Sequence, residues 1–212
     1  PSIVLLKEVD IFKFEKKEYP FLIEEYLQGG TLTDRINHGR ILLVELLELG
    51  SHLFDAIAHI ASHKLVHRDI KPDNILFRED KRIPVLVDFG VVRDLSEYSL
   101  TPTWALSGPG TPFFAAPEQL NNEKELIDWR TDQFSLGIVL SFCITGDHPY
   151  KYPGDTYEDT INRVARRENP EPSNFRKFEM MGVPPIDKMI APWPAERYRL
   201  PSQLIKAWSQ LT

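Results

Sequence analysis

Apolar residues enter this chain as short β-branched and aromatic runs and only later at helical spacing. Ile3-Val4-Leu5-Leu6 is a compact apolar run, followed by Ile11, Phe12 and Phe14 among charges. Phe21-Leu22-Ile23 repeats the pattern after the polar stretch from Glu15 to Tyr19 and Pro20. The simple reading is two antiparallel strands joined by a charged hairpin loop. Gly29-Gly30 then break the run, and Thr31-Leu32-Thr33-Asp34 reads as a helix start. From Leu42 to about His63 the apolar positions Leu43, Leu46, Leu47, Leu53, Phe54, Ile57, Ile60 and Ala61 recur at helical spacing. This predicts one long helix with a broad buried face. Ile75-Leu76-Phe77 and Val85-Leu86-Val87 bracket Arg78 to Pro84 and predict a second hairpin. Residues 91–117 are rich in Ser, Thr, Pro and Gly and show little periodicity. A loop of that length in a compact domain is usually functional or disordered. Helices are predicted beyond it, at about 131–145, 156–167, 184–191 and 201–210. No internal repeat, low-complexity tract or domain boundary interrupts this order.

Composition narrows the classes. At 212 residues the chain fits one ordinary domain with a sizeable core. Its 31 acidic against 25 basic residues give a net charge of -6, which removes the electrostatic case for binding nucleic acid and suits basic peptides. Cys143 is the only cysteine, so an intramolecular disulfide and a Cys-rich zinc site are excluded. That usage fits a reducing compartment, and a cytoplasmic location is expected. Cys143 itself lies in the run Ile138 to Ile144 and reads as a small buried hydrophobe. No run reaches the roughly 18 apolar residues of a membrane span, and no signal peptide is read at the start. The chain opens at Pro1 without a methionine, which suggests a piece of something longer.

The chemistry concentrates in His67-Arg68-Asp69-Ile70-Lys71-Pro72-Asp73-Asn74, between the long helix and the second hairpin. Asp88-Phe89-Gly90 follows directly after that hairpin, and Ala116-Pro117-Glu118 closes the long loop. Each tripeptide alone could arise by chance. Together, in this order and on these elements, they form a strong signal.

These segments resemble the catalytic loop, metal-binding triplet and activation-segment end of eukaryotic-like serine/threonine protein kinases, and the resemblance covers essentially the whole chain. It implies an α+β, kinase-like fold: a mainly α-helical C-lobe with a remnant of the N-lobe β-sheet. Residues 1–27 would be the last N-lobe strands and the hinge, with Glu25 to Gly30 resembling the hinge itself, and residues 28–212 the C-lobe. Phosphoryl transfer asks chiefly for positioning and charge neutralisation. By resemblance Asp69 accepts or orients the substrate hydroxyl proton, and Lys71 places a point charge on the transferring group. Asn74 and Asp88 offer the oxygens that Mg²⁺ favours. A lysine at position 71 is typical of serine/threonine kinases. For ATP, the Leu27 N–H and the Glu25 and Leu27 carbonyls would bond the adenine edge, with Leu76 in apolar contact.

Other residues take supporting roles by the same resemblance. His67, Phe89 and Leu6 would pack as a hydrophobic spine. Asp132 would accept backbone N–H groups of the catalytic loop, and Glu118 with Arg197 would form a buried pair. Arg68 beside Asp69 resembles kinases whose loop is ordered by phosphorylation; Ser99, Thr101, Thr103 and Ser107 are candidate sites. Thr111 sits where the family has a threonine contacting the catalytic aspartate and lysine, and Asp73 where some relatives meet a basic substrate residue. A solvated carboxylate is an equal reading for Asp73.

The sequence also departs from the pattern. No Gly-x-Gly-x-x-Gly loop occurs, and Lys7 lies too close to the hinge to be the ATP lysine, so it reads as a surface residue on a fourth strand. The helix glutamate that pairs with that lysine is missing too. Glu24 falls where relatives place an apolar or small residue, which would cost energy if the carboxylate were buried unpaired. The expected partners are ATP and a protein substrate bearing Ser or Thr, with a further partner possible over the exposed N-terminal strands. A catalytically silent scaffold is the alternative reading.

Overall fold

A computed structural model describes residues 2–15, 17–39, 41–80, 82–89, 93–94 and 111–211 of the chain. The apolar N-terminal runs form a hairpin of β1 (Leu6–Phe14) and β2 (Lys17–Glu24), paired antiparallel with Phe12 opposite Tyr19 and Val9 opposite Leu22. Residues 2–4 run alongside the second hairpin instead of continuing β1: Val4 N–H donates to Leu86 O at 3.0 Å, and Leu86 N–H to Ser2 O at 2.9 Å. The predicted strand over Ile3 to Leu6 is therefore split between two sheets. Every residue of β1 is exposed, including Val9, Ile11, Phe12 and Phe14.

Helix α1 (Leu32–His38) starts at the predicted Thr31, whose hydroxyl accepts the Asp34 N–H while Asp34 accepts the Thr31 N–H. That reciprocal pair satisfies two otherwise orphaned donors. Helix α2 (Leu43–Ser62) buries Leu46, Leu53, Phe54, Ile57 and Ile60, as its periodicity requires. It leads into the short β3 (Leu65–Val66), then to a 3-10 turn at Pro72–Asn74 and the hairpin β4 (Ile75–Phe77) and β5 (Pro84–Leu86). Strand β6 (Arg93–Asp94) pairs with β3. Helix α3 (Pro117–Leu120) precedes α4 (Trp129–Thr145), which is buried nearly all round and forms the axis of the domain. Against it pack α2 and α7 (Pro185–Met189), while α8 (Pro201–Ser209) packs on α2 and α5 (Tyr157–Ala165) and α6 (Pro172–Met180) lie outside. The fold is α+β, with the helices gathered on one side of small antiparallel sheets.

Helix α6 has no counterpart among the predicted helices. It follows the Pro-containing stretch 169–172 and buries only Asn174 and Phe178, so a single buried apolar side chain marks its inner face. Tight packing sets one glycine on α2: a Cβ at Gly50 would lie 2.5 Å from the Trp208 ring. The Trp208 indole in turn donates to Leu47 O at 2.9 Å and packs edge-on against Phe54. Trp208 is core, whereas Trp193 is half exposed beneath the Arg167 guanidinium. Among the described residues no helix is long and apolar enough to cross a membrane.

Candidate active site

The 67–74 loop is held from below by α4. Asp132, in the first turn of that helix, accepts the His67 N–H at 2.8 Å and the Arg68 N–H at 2.9 Å. Burial pushes its carboxyl up to about 7, while the two N–H donors pull the other way. The loop bends sharply here, because Arg68 sits at φ 70°, a left-handed conformation uncommon outside glycine. Asp88, just beyond β5, does the same at φ 64°. Such strain costs on the order of 1–3 kcal/mol per residue and collects at functional sites.

That bend aims Asp69 at its neighbours. Lys71 Nζ donates to Asp69 Oδ2 at 2.8 Å, and Asn74 Nδ2 donates to the same oxygen and to Asp69 O, each at 2.9 Å. The other oxygen, Oδ1, is buried and has no hydrogen-bond partner among the described residues. Because Asn74 spends its amide N–H groups on Asp69, its carbonyl oxygen points away from that carboxylate.

Asp88 joins from the second hairpin. Val87 N–H donates to Asn74 O at 3.0 Å, and the His67 ring nitrogen Nε2 bonds Val87 O at 3.0 Å, which fixes the strand end against the loop. Burial holds the His67 imidazole below its ordinary range, offset by the Val87 carbonyl and the Asp69 and Asp88 carboxylates. The Asp88 side chain is exposed at the mouth of this cluster. Phe89 stacks edge-on against His67 at 4.8 Å, but Leu6 is 47% exposed and outside that packing, because nothing in the described residues lies over the β1–β2 hairpin.

The proposed adenine-edge residues lie next door. Leu27 is buried and Leu76 half-buried, and Gly29 N–H donates to Phe77 O at 2.9 Å. A Cβ at Gly29 would lie 2.2 Å from Arg78 O, so only glycine lets this segment run against β4. The Glu25 side chain is committed elsewhere: it pairs with Arg78 through both guanidinium nitrogens and accepts the Leu5 N–H at 3.0 Å. The Arg78 bond, foremost, holds its carboxyl below the usual range. Glu24 is only half-buried opposite Leu6, so no buried unpaired carboxylate arises there. Asp73 accepts from the Thr33 hydroxyl at 3.0 Å.

The Glu118–Arg197 pair is fully buried, with contacts of 2.7 and 3.1 Å, and Arg197 also donates to the Ala191, Arg130 and Pro192 carbonyls. Sequence reasoning missed two residues of this region. Gln119 accepts the Ala116 N–H and donates to Arg68 O at 2.8 Å, tying α3 to the 67–74 loop. His148 bonds Phe113 O through Nε2 at 2.9 Å and accepts the Tyr150 N–H. Neither has a spacing signal; both depend on segments meeting from far apart. The phosphorylation candidates Ser99, Thr101, Thr103 and Ser107 lie outside the described residues, as do Gly90, Gly110 and the Thr111 side chain.

Comparison with known proteins adds the family. The model of the protein kinase domain matches residues 1–208. A probable serine/threonine-protein kinase of Streptomyces coelicolor is 30% identical over 82% of this chain and 25% of its own length. Serine/threonine-protein kinase PknB of Mycolicibacterium smegmatis is 29% identical over 96% of this chain and 32% of its own. Serine/threonine-protein kinase SBK1 of Danio rerio is 33% identical over 84% of this chain and 47% of its own. The chain thus spans between a quarter and half the length of these relatives.

Proposed function

The chain belongs to the protein kinase family, and on that premise we propose that its Asp69, Lys71, Asn74 and Asp88 constellation transfers the γ-phosphate of ATP to Ser or Thr hydroxyls of a protein. The observation that carries this reading is the division of labour on Asp69. One carboxylate oxygen is fixed by Lys71 and Asn74, and the other is buried without a partner among the described residues. A buried acceptor left open is costly, and a substrate hydroxyl donating to Oδ1 would satisfy it.

In this reading Asp69 orients the hydroxyl and takes its proton as the oxygen attacks in line. Lys71, already at 2.8 Å from Asp69, is placed to share its charge with the incoming phosphoryl oxygens. Asp132 holds the loop's backbone so that these side chains need no rearrangement. The Asn74 carbonyl oxygen and the Asp88 carboxylate are hard donors at the same mouth, and they would hold Mg²⁺, which neutralises phosphate charge when bound. Leu27, Leu76 and the Glu25 backbone would seat the adenine. We further read residues 1–27 as upper-lobe strands with hinge and 28–212 as the catalytic lobe.

One observation favours a second reading, a kinase-like scaffold. The hairpin exposes Val9, Ile11, Phe12, Phe14, Leu22 and Ile23, a surface suited to a covering partner. The two readings separate in a radiolabelled γ-phosphate transfer assay with Mg²⁺ and a basic protein substrate, run beside Asp88→Ala and Asp69→Asn. Transfer that both substitutions abolish supports the enzyme. Transfer no higher than the variants' background, for this chain and for a longer chain extended upstream, leaves the scaffold.

A further inference from the structure

The C-terminal end of α2 carries two exposed histidines, His59 in its last turn and His63 at its C-cap, that neither the fold nor the kinase reading employs. His59 and His63 are four residues apart on one helix face, the spacing that stacks side chains one above the other. Their ring centroids lie 4.6 Å apart, tilted by 58°. His63 Nδ1 lies 3.0 Å from His59 O and 3.2 Å from Ser62 Oγ, whose own hydroxyl donates to His59 O at 2.7 Å. A carbonyl can only accept, so the His63 bond places the proton on Nδ1 and leaves the Nε2 lone pair free to bind. Bonding the inner nitrogen to a carbonyl is how metal-ligating histidines are oriented.

We propose that His59 and His63 form a two-imidazole clamp for a divalent transition ion of tetragonal preference, Cu²⁺ foremost. With a metal–nitrogen bond of about 2.0–2.1 Å, the metal lies about 3.2 Å from each ring centroid. With one nitrogen of each ring turned toward a shared metal, a centroid separation of 4.6 Å would subtend about 90° there. That is the angle between adjacent positions of a square-planar or octahedral sphere. Copper(II) tops the affinity order for such nitrogen ligands.

The surroundings support a cation. The site lies at the helix C-terminus, the negative end of the helix dipole. Asp55, exposed one turn earlier on the same face, adds a carboxylate, while Lys64 opposes it from the next residue. Among the described residues no group of three or more His, Cys, Asp or Glu side chains could hold a metal, so the protein would supply these two imidazoles alone. The clamp closes the turn immediately before Lys64, itself left-handed at φ 59°, and β3, the strand that delivers the catalytic loop.

The test is calorimetric titration of the untagged chain with Cu²⁺, together with electron paramagnetic resonance of the 1:1 complex. Single-site binding with two nitrogens in the equatorial plane is expected. His59→Asn and His63→Asn should each weaken it by at least the roughly 10- to 100-fold that outer-shell partners contribute, while His38→Asn on α1 leaves it unchanged. Both targets are exposed, so metal-free unfolding midpoints should match the parent. Equal affinity in either clamp variant, a loss in His38→Asn, or a single nitrogen in the wild-type spectrum would overturn the assignment.

Discussion

Replacing Arg197 by Met tests the claim that a buried ion pair holds the end of the activation segment. Arg197 and Glu118 are both fully inaccessible and meet at 2.7 and 3.1 Å. Methionine fills much of the volume but strands the Glu118 carboxylate with the Thr131 hydroxyl as its remaining side-chain donor, at 2.9 Å. Breaking one side of such a pair costs roughly 3–5 kcal/mol. The upper end is expected, because the Ala191, Arg130 and Pro192 carbonyls lose their donor as well. Against a typical total of about 5–15 kcal/mol, that is a large fraction of the stability. Urea unfolding followed by far-UV circular dichroism at neutral pH measures it directly. The double variant Arg197→Met with Glu118→Gln removes the stranded charge and should be less destabilised than the sum of the singles, by about 0.5–3 kcal/mol of coupling. A loss below about 1 kcal/mol for Arg197→Met, or strict additivity in the double variant, would refute the reasoning.

Three further outcomes are expected. His148 is buried and its imidazole is held down at about 3, chiefly by burial, so the folded state keeps it neutral while the unfolded chain protonates below about 6.5. Its contribution is therefore complete above that pH and is lost on acidification, by about 2 kcal/mol at pH 5; unfolding midpoints of wild type and His148→Gln at pH 7 and pH 5 check this, and identical pH slopes would contradict it. Gly50→Ala drives a methyl into the Trp208 ring and should cost roughly 1–3 kcal/mol, with altered tryptophan fluorescence; an unchanged midpoint would show that α8 yields freely. Asn74→Ala removes two donors from Asp69 and one candidate Mg²⁺ oxygen, so transfer should fall roughly 10²-fold or more, and a rate equal to wild type at every Mg²⁺ concentration would remove Asn74 from the site.

Much of this architecture was legible in the chain order of residues. The spacing of Leu46, Leu53, Phe54, Ile57 and Ile60 dictated α2, since one face of a 3.6-residue repeat must be buried. Thr31 and Asp34 announced the start of α1 because their side chains cap its first N–H groups locally. The resemblance carried by residues 67–74, 88–90 and 116–118 pointed to Asp132 and to the Glu118–Arg197 pair, and the structure has both interactions.

What the sequence could not settle lies in contacts between segments remote along the chain. Residues 2–4 look like the start of β1, yet Leu86 captures them, because pairing with β5 satisfies backbone groups that the hairpin leaves open. Glu25 reads as one more hinge position, but Arg78, brought near by the turn at Gly29, claims its carboxylate. Gln119 reaches the Arg68 carbonyl only after α3 has docked on the catalytic loop. The division of Asp69 into one fixed oxygen and one without a partner among the described residues depends on where Lys71 and Asn74 come to rest. Local sequence determines capping, periodicity and the kinds of groups available, since those forces act within a few residues. Which donor meets which acceptor was decided by tertiary structure, because burial makes every unpaired polar group costly and only the packed chain shows which partners are within reach.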